Sequence, residues 1–167
     1  ILCSPGENLV PQSFKTDGRF VSPPAAEHAR LRQPLTPGEK TVFDFFNQHL
    51  SIHWEIYVQP HLNGLRPDFV LLNPAVGVAV FEVKDWDLSA MHYGVDQRDG
   101  KPPLLWAEQE GKRFSIQKEN PIEKVNSYRN EVFNIYCPRL KQGAGFAAIT
   151  AGVIFPYCPE NQLNELF

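Results

Sequence analysis

Two apolar runs, Arg66–Asn73 and Gly77–Trp86, are joined by the turn-forming interval Asn73-Pro74-Ala75-Val76-Gly77. Both are rich in Val, Leu and Phe, so the segment reads as a β-hairpin. Strand side chains alternate between faces, which puts Glu82 and Lys84 on one side with Val78 and Val80. Closing the hairpin with Asn73 opposite Gly77 sets Leu72 against Val78, Val70 against Val80, and Asp68 against Glu82. A slip of one residue would send the two acids to opposite faces, so this register is a strong constraint.

Side chains directly opposed across two strands have Cβ atoms only ~4.5–5.5 Å apart, and like charges there destabilise the pair. The strands are otherwise apolar, and partial desolvation sharpens the conflict between Asp68 and Glu82. A positive charge should resolve it. Lys84 is one candidate; a hard divalent cation held by carboxylate oxygens, a backbone carbonyl and waters is another. Such an ion would acidify a bound water and steady charge growing on a phosphate oxygen. Lys84 would then orient or deprotonate the attacking water, or neutralise the phosphate. The plain alternative is an ion pair of Glu82 or Asp68 with Lys84 or Arg66 at a strand end. Three ionisable groups interrupting two apolar strands at mutually consistent positions favour the chemical reading.

The rest of the chain supplies a sheet and its covering helices. Residues 1–34 hold Pro5, Pro11, Pro23, Pro24 and Pro34 and read as an extended arm with a helical turn around Ala25–Leu31. Thr36-Pro37-Gly38-Glu39 starts a helix, with Thr36 as N-cap and Glu39 completing a capping box. Val42, Phe43, Phe46 and Leu50 give that helix one apolar stripe. A strand is expected over Trp54–Gln59, and a second, more exposed hairpin from Leu104–Gln109 and Arg113–Ile116. Asn120-Pro121 opens another helix, ended by Pro138, with Ile122, Val125, Val132, Phe133 and Tyr136 expected on its buried side. Phe146–Phe155, uncharged throughout, fits a buried strand. The order implies an α/β or α+β sheet covered by helices.

Pro67-Asp68 followed by Glu82-Val83-Lys84 resembles the PD-(D/E)xK signature of the restriction-endonuclease-like superfamily. With Thr36-Pro37-Gly38-Glu39, Trp54 and Gly77–Lys84, the stretch from about 36 to 155 is similar to the nuclease-related domain, NERD. The resemblance implies an α/β restriction-endonuclease-like core, a mixed β-sheet flanked by helices, over residues 35–167. It implies a deoxyribonuclease using Mg²⁺ or Mn²⁺ to hydrolyse DNA, with Asp68, Glu82 and the Val83 carbonyl as metal ligands and Lys84 as the catalytic lysine. Glu39 would be an accessory acid beside the metal, unless its capping role is its whole role. DNA is the implied partner, along with a helicase or other DNA-processing module in the same polypeptide. Relatives often carry Asn-Pro-x-x-Gln with a tyrosine further on; here Lys124 takes the glutamine's place, followed by Tyr128. Hence the rival expectation of a weakened nuclease fold retained for DNA docking or regulation. A third reading makes the charged cluster a structural ion-pair network.

Other signals are weaker. The net charge of −3 gives no global attraction to nucleic acid, so a local basic patch would have to supply it. Lys101, Lys112, Arg113, Lys118, Lys124 and Arg129 form the densest basic region, and Lys112, Arg113 and Lys124 are the candidate DNA contacts. Trp86 and Trp106 could stack on bases, though packing is the commoner role of such residues. Cys3, Cys137 and Cys158 lack zinc spacing and are read as free thiols of a cytoplasmic protein. No histidine pair has ligand spacing and no phosphate-binding glycine loop occurs. No apolar run nears the ~20 residues that span a membrane. The chain starts at Ile1 and stops at Phe167 within an apolar-polar stretch, which suggests a piece of something longer.

Overall fold

The computed structural model describes residues 15–16, 18–87, 91–116, 120–137 and 145–159. Strands β4 (Phe69–Asn73) and β5 (Gly77–Val83) pair antiparallel, with Asn73 facing Gly77, Leu72 facing Val78 and Val70 facing Val80. This is the register expected from the apolar pattern. The turn is closed by Asn73, whose carbonyl accepts from Val76 N–H at 3.0 Å and whose side chain accepts from Ala75 N–H at 3.0 Å. Gly77 has φ +140°, and a Cβ there would lie 2.3 Å from the Ala148 carbonyl oxygen.

The hairpin sits inside a six-stranded sheet. Its other members are β1 (Lys15–Thr16), β2 (Arg19–Ser22), β3 (Glu55–Val58) and β9 (Ile149–Ile154), in the order β1-β2-β3-β4-β5-β9. The pairs β2–β3 and β5–β9 are parallel and the other three antiparallel, so the sheet is mixed. Helix α1 (Pro37–His49) covers one face, burying Val42, Phe43 and Phe46 against Val21, Ile56, Val58, Phe69 and Leu71. Phe46 meets Phe69 and Phe81 with ring centroids 5.6 Å apart in each case. Helix α2 (Pro121–Glu131), continued by a π-helical turn over Val132–Tyr136, packs on β5 and β9. There Val125, Tyr128 and Val132 close over Val80 and Ile149. This is an α/β restriction-endonuclease-like core, a mixed sheet flanked by helices. Among the described residues no helix is long and apolar enough to cross a membrane.

Several expectations need correction. The proline-rich arm does contain a 3-10 helix at Ala25–Arg30, but β1 and β2 before it belong to the sheet. Arg19 on β2 is buried, and its guanidinium donates to the carbonyls of Leu50, Ser51 and Trp54 just past the end of α1. The Leu50 carbonyl, at the C-cap of α1, has no partner within the helix, and Ser51 and Trp54 belong to the loop that follows. The apolar run near the end is a 3-10 turn, Gly145–Ala148, and then an edge strand that is mostly half-buried. On α2 the buried stripe is Pro121, Val125, Tyr128 and Val132, while Ile122 and Tyr136 face outward. The expected helix stop, Pro138, lies outside the described residues.

The exposed hairpin is part of a three-stranded antiparallel sheet, because a strand over His92–Arg98 (β6) joins β7 (Lys101–Gln109) and β8 (Lys112–Ser115). Trp86 ties this small sheet to the core, stacking on Tyr93 at 4.4 Å and packing on Phe155 at 5.3 Å. Trp106 donates its indole N–H to Asp96 and lies under the Arg113 guanidinium. Both tryptophans are thus engaged in packing.

Replacing Gly77 by alanine must relieve both a backbone geometry that L-residues avoid and a backbone clash. We expect Gly77→Ala to lower stability by about 1–3 kcal/mol in urea unfolding.

Candidate active site

The ladder between β4 and β5 ends at the pair Phe69–Phe81, and proline at 67 has no N–H to extend it. Asp68 comes next. Its backbone N–H reaches the Phe81 carbonyl at 3.1 Å, and its carboxylate accepts from the Val83 N–H at 2.6 Å, replacing a backbone partner. By strand alternation Glu82 and Lys84 share the α2 face with Val80. The N–H and carbonyl of one strand residue point the same way, so the Val83 carbonyl projects toward the edge where Asp68 sits.

Glu82 is only 4% exposed. Its Oε1 accepts from Lys84 Nζ and from Lys124 Nζ, each at 3.0 Å, and its Oε2 accepts from the Tyr128 hydroxyl at 2.9 Å. The Tyr128 hydroxyl also lies 3.3 Å from the Arg66 carbonyl. Lys124 and Tyr128 stand four apart on α2 and so present side chains on one face. Burial alone would raise the Glu82 carboxyl, but the charge of Lys84 and the hydrogen bond from Lys124 hold it below its ordinary value. Lys124 loses some basicity to burial and regains more from Glu82, ending above its usual value. Burial, reinforced by the Glu82 charge, pushes the Tyr128 hydroxyl up, so it stays protonated and donates.

Asp68 has less help: among the described residues no ammonium group is bonded to it, and Lys124 reaches it only through its field. Burial first, then the Glu82 charge and a contribution from Glu39, push its carboxyl up to about 8, although the Val83 N–H opposes the rise. Both lysines are spent on Glu82, and Asp68 keeps a proton at neutrality.

The third acid arrives from α1. Glu39 completes the capping box, its Oε2 accepting from Thr36 N–H at 2.9 Å while its own N–H donates to Thr36 Oγ1 at 3.2 Å. The same Oε2 takes Gln59 Nε2 at 3.4 Å, and the Glu39 charge contributes to the rise of the Asp68 carboxyl. Cap and cluster member are therefore both roles of Glu39. Asp85, just past β5, accepts from Gly38 N–H at 3.0 Å and fastens the α1 N-terminus beside the acidic pair. A Cβ on Gly38 would fall 1.8 Å from the Asp85 carboxylate, so only glycine permits that approach.

Asp68, Glu82, Lys84, Lys124 and Glu39 thus meet at one end of the sheet. Lys112 and Arg113 do not join them: they lie exposed on β8, and Arg113 is engaged by Glu108 at 2.8 Å and by the Trp106 ring at 3.8 Å. Lys118 is outside the described residues. Sequence reasoning did not single out Gln59, buried with φ 47° after β3, whose amide joins Glu39 to Arg66. Nor did it single out Asp85, although an acid directly after Lys84 is a signal that could have been followed.

A family model confirms what these residues suggest: the nuclease-related domain, NERD, matches residues 35–156. The chain belongs to the nuclease-related domain family. No curated protein and no solved structure matches it. The matched NERD stretch runs from the residue before the Thr36 cap to the end of β9, and so includes every member of the cluster.

The cluster can also be tested against the cation that nuclease chemistry calls for. Among the described residues no three His, Cys, Asp or Glu side chains form a closed metal cage. Mg²⁺ needs none, since it is commonly held by one or two carboxylates with waters completing the shell. Asp68, Glu82 and the Val83 carbonyl would supply such donors, and a cation there would displace the proton that burial and the Glu82 charge hold on Asp68. The donor set fits.

In the metal-free protein the folded state holds a proton on Asp68 that the unfolded chain releases near pH 4. This contribution to stability is full below about pH 4 and is lost as pH rises toward about 8. Urea unfolding in EDTA should show a decline across that window of at most ~1.4 kcal/mol per pH unit from this group. Asp68→Asn should flatten it. An unchanged slope in that variant would reject the assignment.

Proposed function

We propose that this domain hydrolyses DNA phosphodiester bonds with Mg²⁺ or Mn²⁺, with water as nucleophile. One observation carries the reading: buried Glu82 and half-buried Asp68 meet two ammonium groups at a hairpin end, and both ammonium groups bond to Glu82. In this reading Asp68, Glu82 and the Val83 carbonyl would hold the ion. When bound, the cation lowers the pKa of water and stabilises charge on the phosphoryl oxygens. With an ion bound, Lys84 and Lys124 would be released from part of their pairing with Glu82 and would turn to the phosphate. Lys84 hydrogen-bonds the attacking water or a non-bridging oxygen, while Lys124 acts as a mobile point charge. Tyr128 stays protonated and fixes the Glu82 carboxylate by donating to Oε2. Glu39 adds negative charge near Asp68 and strengthens the site's demand for a cation. The water oxygen bonds to phosphorus as one P–O ester bond breaks. The departing oxygen takes a proton, leaving one phosphomonoester end and one hydroxyl end.

A DNA-processing context, including a helicase module in the same polypeptide and a reducing cytoplasm, suits this activity. Lys124 would meet DNA inside the site; Lys112 and Arg113 would offer a second patch, weakened where Glu108 neutralises Arg113.

A second reading has its own support. Both oxygens of Glu82 are already satisfied by Lys84, Lys124 and Tyr128, so the cluster could persist as a neutralised network in a DNA-docking module. Purified protein incubated with plasmid or single-stranded DNA and Mn²⁺ separates the two. We expect cleavage that falls at least ~100-fold in Asp68→Ala and in Lys84→Ala, the scale of a lost catalytic group. DNA binding with no cleavage by the wild-type protein would leave only the docking role.

Glu39→Gln keeps much of the cap and removes the charge. We expect it to retain the helical circular-dichroism signal while cleavage falls ~10-fold or more, about 1.4 kcal/mol of lost transition-state stabilisation. Unchanged activity and metal affinity would confine Glu39 to capping.

A further inference from the structure

Beside the acidic cluster lies a cation that the chemistry above does not use. Arg66 is half-buried, two residues before Asp68, and its carbonyl receives the Tyr128 hydroxyl that also holds Glu82. Its guanidinium donates from Nη2 to Gln59 Oε1 at 2.7 Å and from Nη1 to Gln33 Oε1 at 3.3 Å. Both acceptors are neutral amides, and Nε is enclosed with no acceptor. The guanidinium is therefore held in place by amides, and among the described residues no carboxylate forms an ion pair with it. A planar guanidinium fixed this way presents donors suited to a phosphate.

Gln33 also pins down the segment it belongs to. Arg30 and Arg32, on either side of Leu31, are exposed and form no ion pair among the described residues. The same segment leads into Thr36 and Glu39, so it borders the cluster from Arg66 to the start of α1. Glu27, earlier in the 3-10 helix, is the nearest acid along the chain before Arg30. Lys84 and Lys124, by contrast, are both paired with Glu82.

We propose that Arg66, with Arg30 and Arg32 of the segment Gln33 anchors to it, forms the edge on which DNA phosphates dock beside the acidic pair. This rests on the phosphodiesterase reading, since it places the backbone of the same substrate. The contacts go to phosphates, so the edge positions a strand without reading its bases. Gln59 is the positioning residue: its amide holds the Arg66 guanidinium through Oε1 and Glu39 through Nε2, fixing the docked backbone relative to the acids.

The test is fluorescence anisotropy of a labelled duplex oligonucleotide at several NaCl concentrations in EDTA, which stops divalent-dependent cleavage. Wild-type protein should bind with affinity falling steeply with salt. The double charge reversal Arg30→Glu with Arg32→Glu should weaken binding at least ~10-fold and reduce the log–log salt slope by about 2, near one per lost phosphate contact. Arg66→Gln should reduce it by about 1. Lys112→Glu with Arg113→Glu should cost less than the Arg30 and Arg32 reversal. An unchanged slope in the Arg30 and Arg32 reversal overturns the proposal, as does an equal or larger loss at Lys112 and Arg113, or no wild-type binding. Arg30 and Arg32 are exposed, so their result decides even if Arg66→Gln fails to fold. Wild-type protein that binds as expected yet cleaves nothing with Mn²⁺ would sink the phosphodiesterase reading and leave the docking edge standing.

Discussion

Pro67 withholds a hydrogen bond, and the site is organised around that omission. Lacking an N–H, it cannot continue the β4–β5 ladder. The Val83 N–H is met by the Asp68 carboxylate, and the Val83 carbonyl points to the same edge. The β4–β5 ladder thus ends beside Pro67, where a carboxylate takes the place of a backbone partner and a carbonyl faces the same edge. Buried Pro67 also holds Asp68 close to where the ladder stops, where the half-buried acid feels the charge of Glu82.

The charges around this point are distributed unequally. Glu82 collects two ammonium groups and a phenol, whereas Asp68 collects one amide hydrogen and two neighbouring acids. The two carboxylates, Glu82 buried and Asp68 half-buried, therefore sit in opposite protonation states at neutral pH. Environments that drive paired acids apart in this way recur at sites that carry out proton transfer or bind cations, and they occur in structural ion-pair networks as well.

Much of this was legible before any coordinates. The hairpin register follows from apolar pairing alone, since only one alignment sets Val70 and Leu72 against Val80 and Val78. The Thr36–Glu39 cap and the stripe of Val42, Phe43 and Phe46 are local patterns, and local patterns survive folding. Features fixed by distant partners were not readable. Strand β2 has four residues and gains its place by pairing with β3, more than thirty positions along the chain. Strand β6 is polar and exposed along much of its length, so it carries no apolar alternation. The buried stripe of α2 starts at Pro121 rather than Ile122, a turn of about 100° that the apolar pattern did not resolve. Gln59 carried no sequence signal because its neighbours, Glu39 and Arg66, come from elsewhere in the fold.

The double service of Glu39 has a thermal consequence. Helix ends are where a folded chain first comes loose, opening and closing at a cost far below global unfolding. The carboxylate that seals the first turn of α1 is also the third acid of the cluster, and Asp85 clasps that turn through Gly38. Fraying of those few residues therefore dismantles the cluster while the sheet stays intact. The three acids should therefore part on warming well before the protein melts.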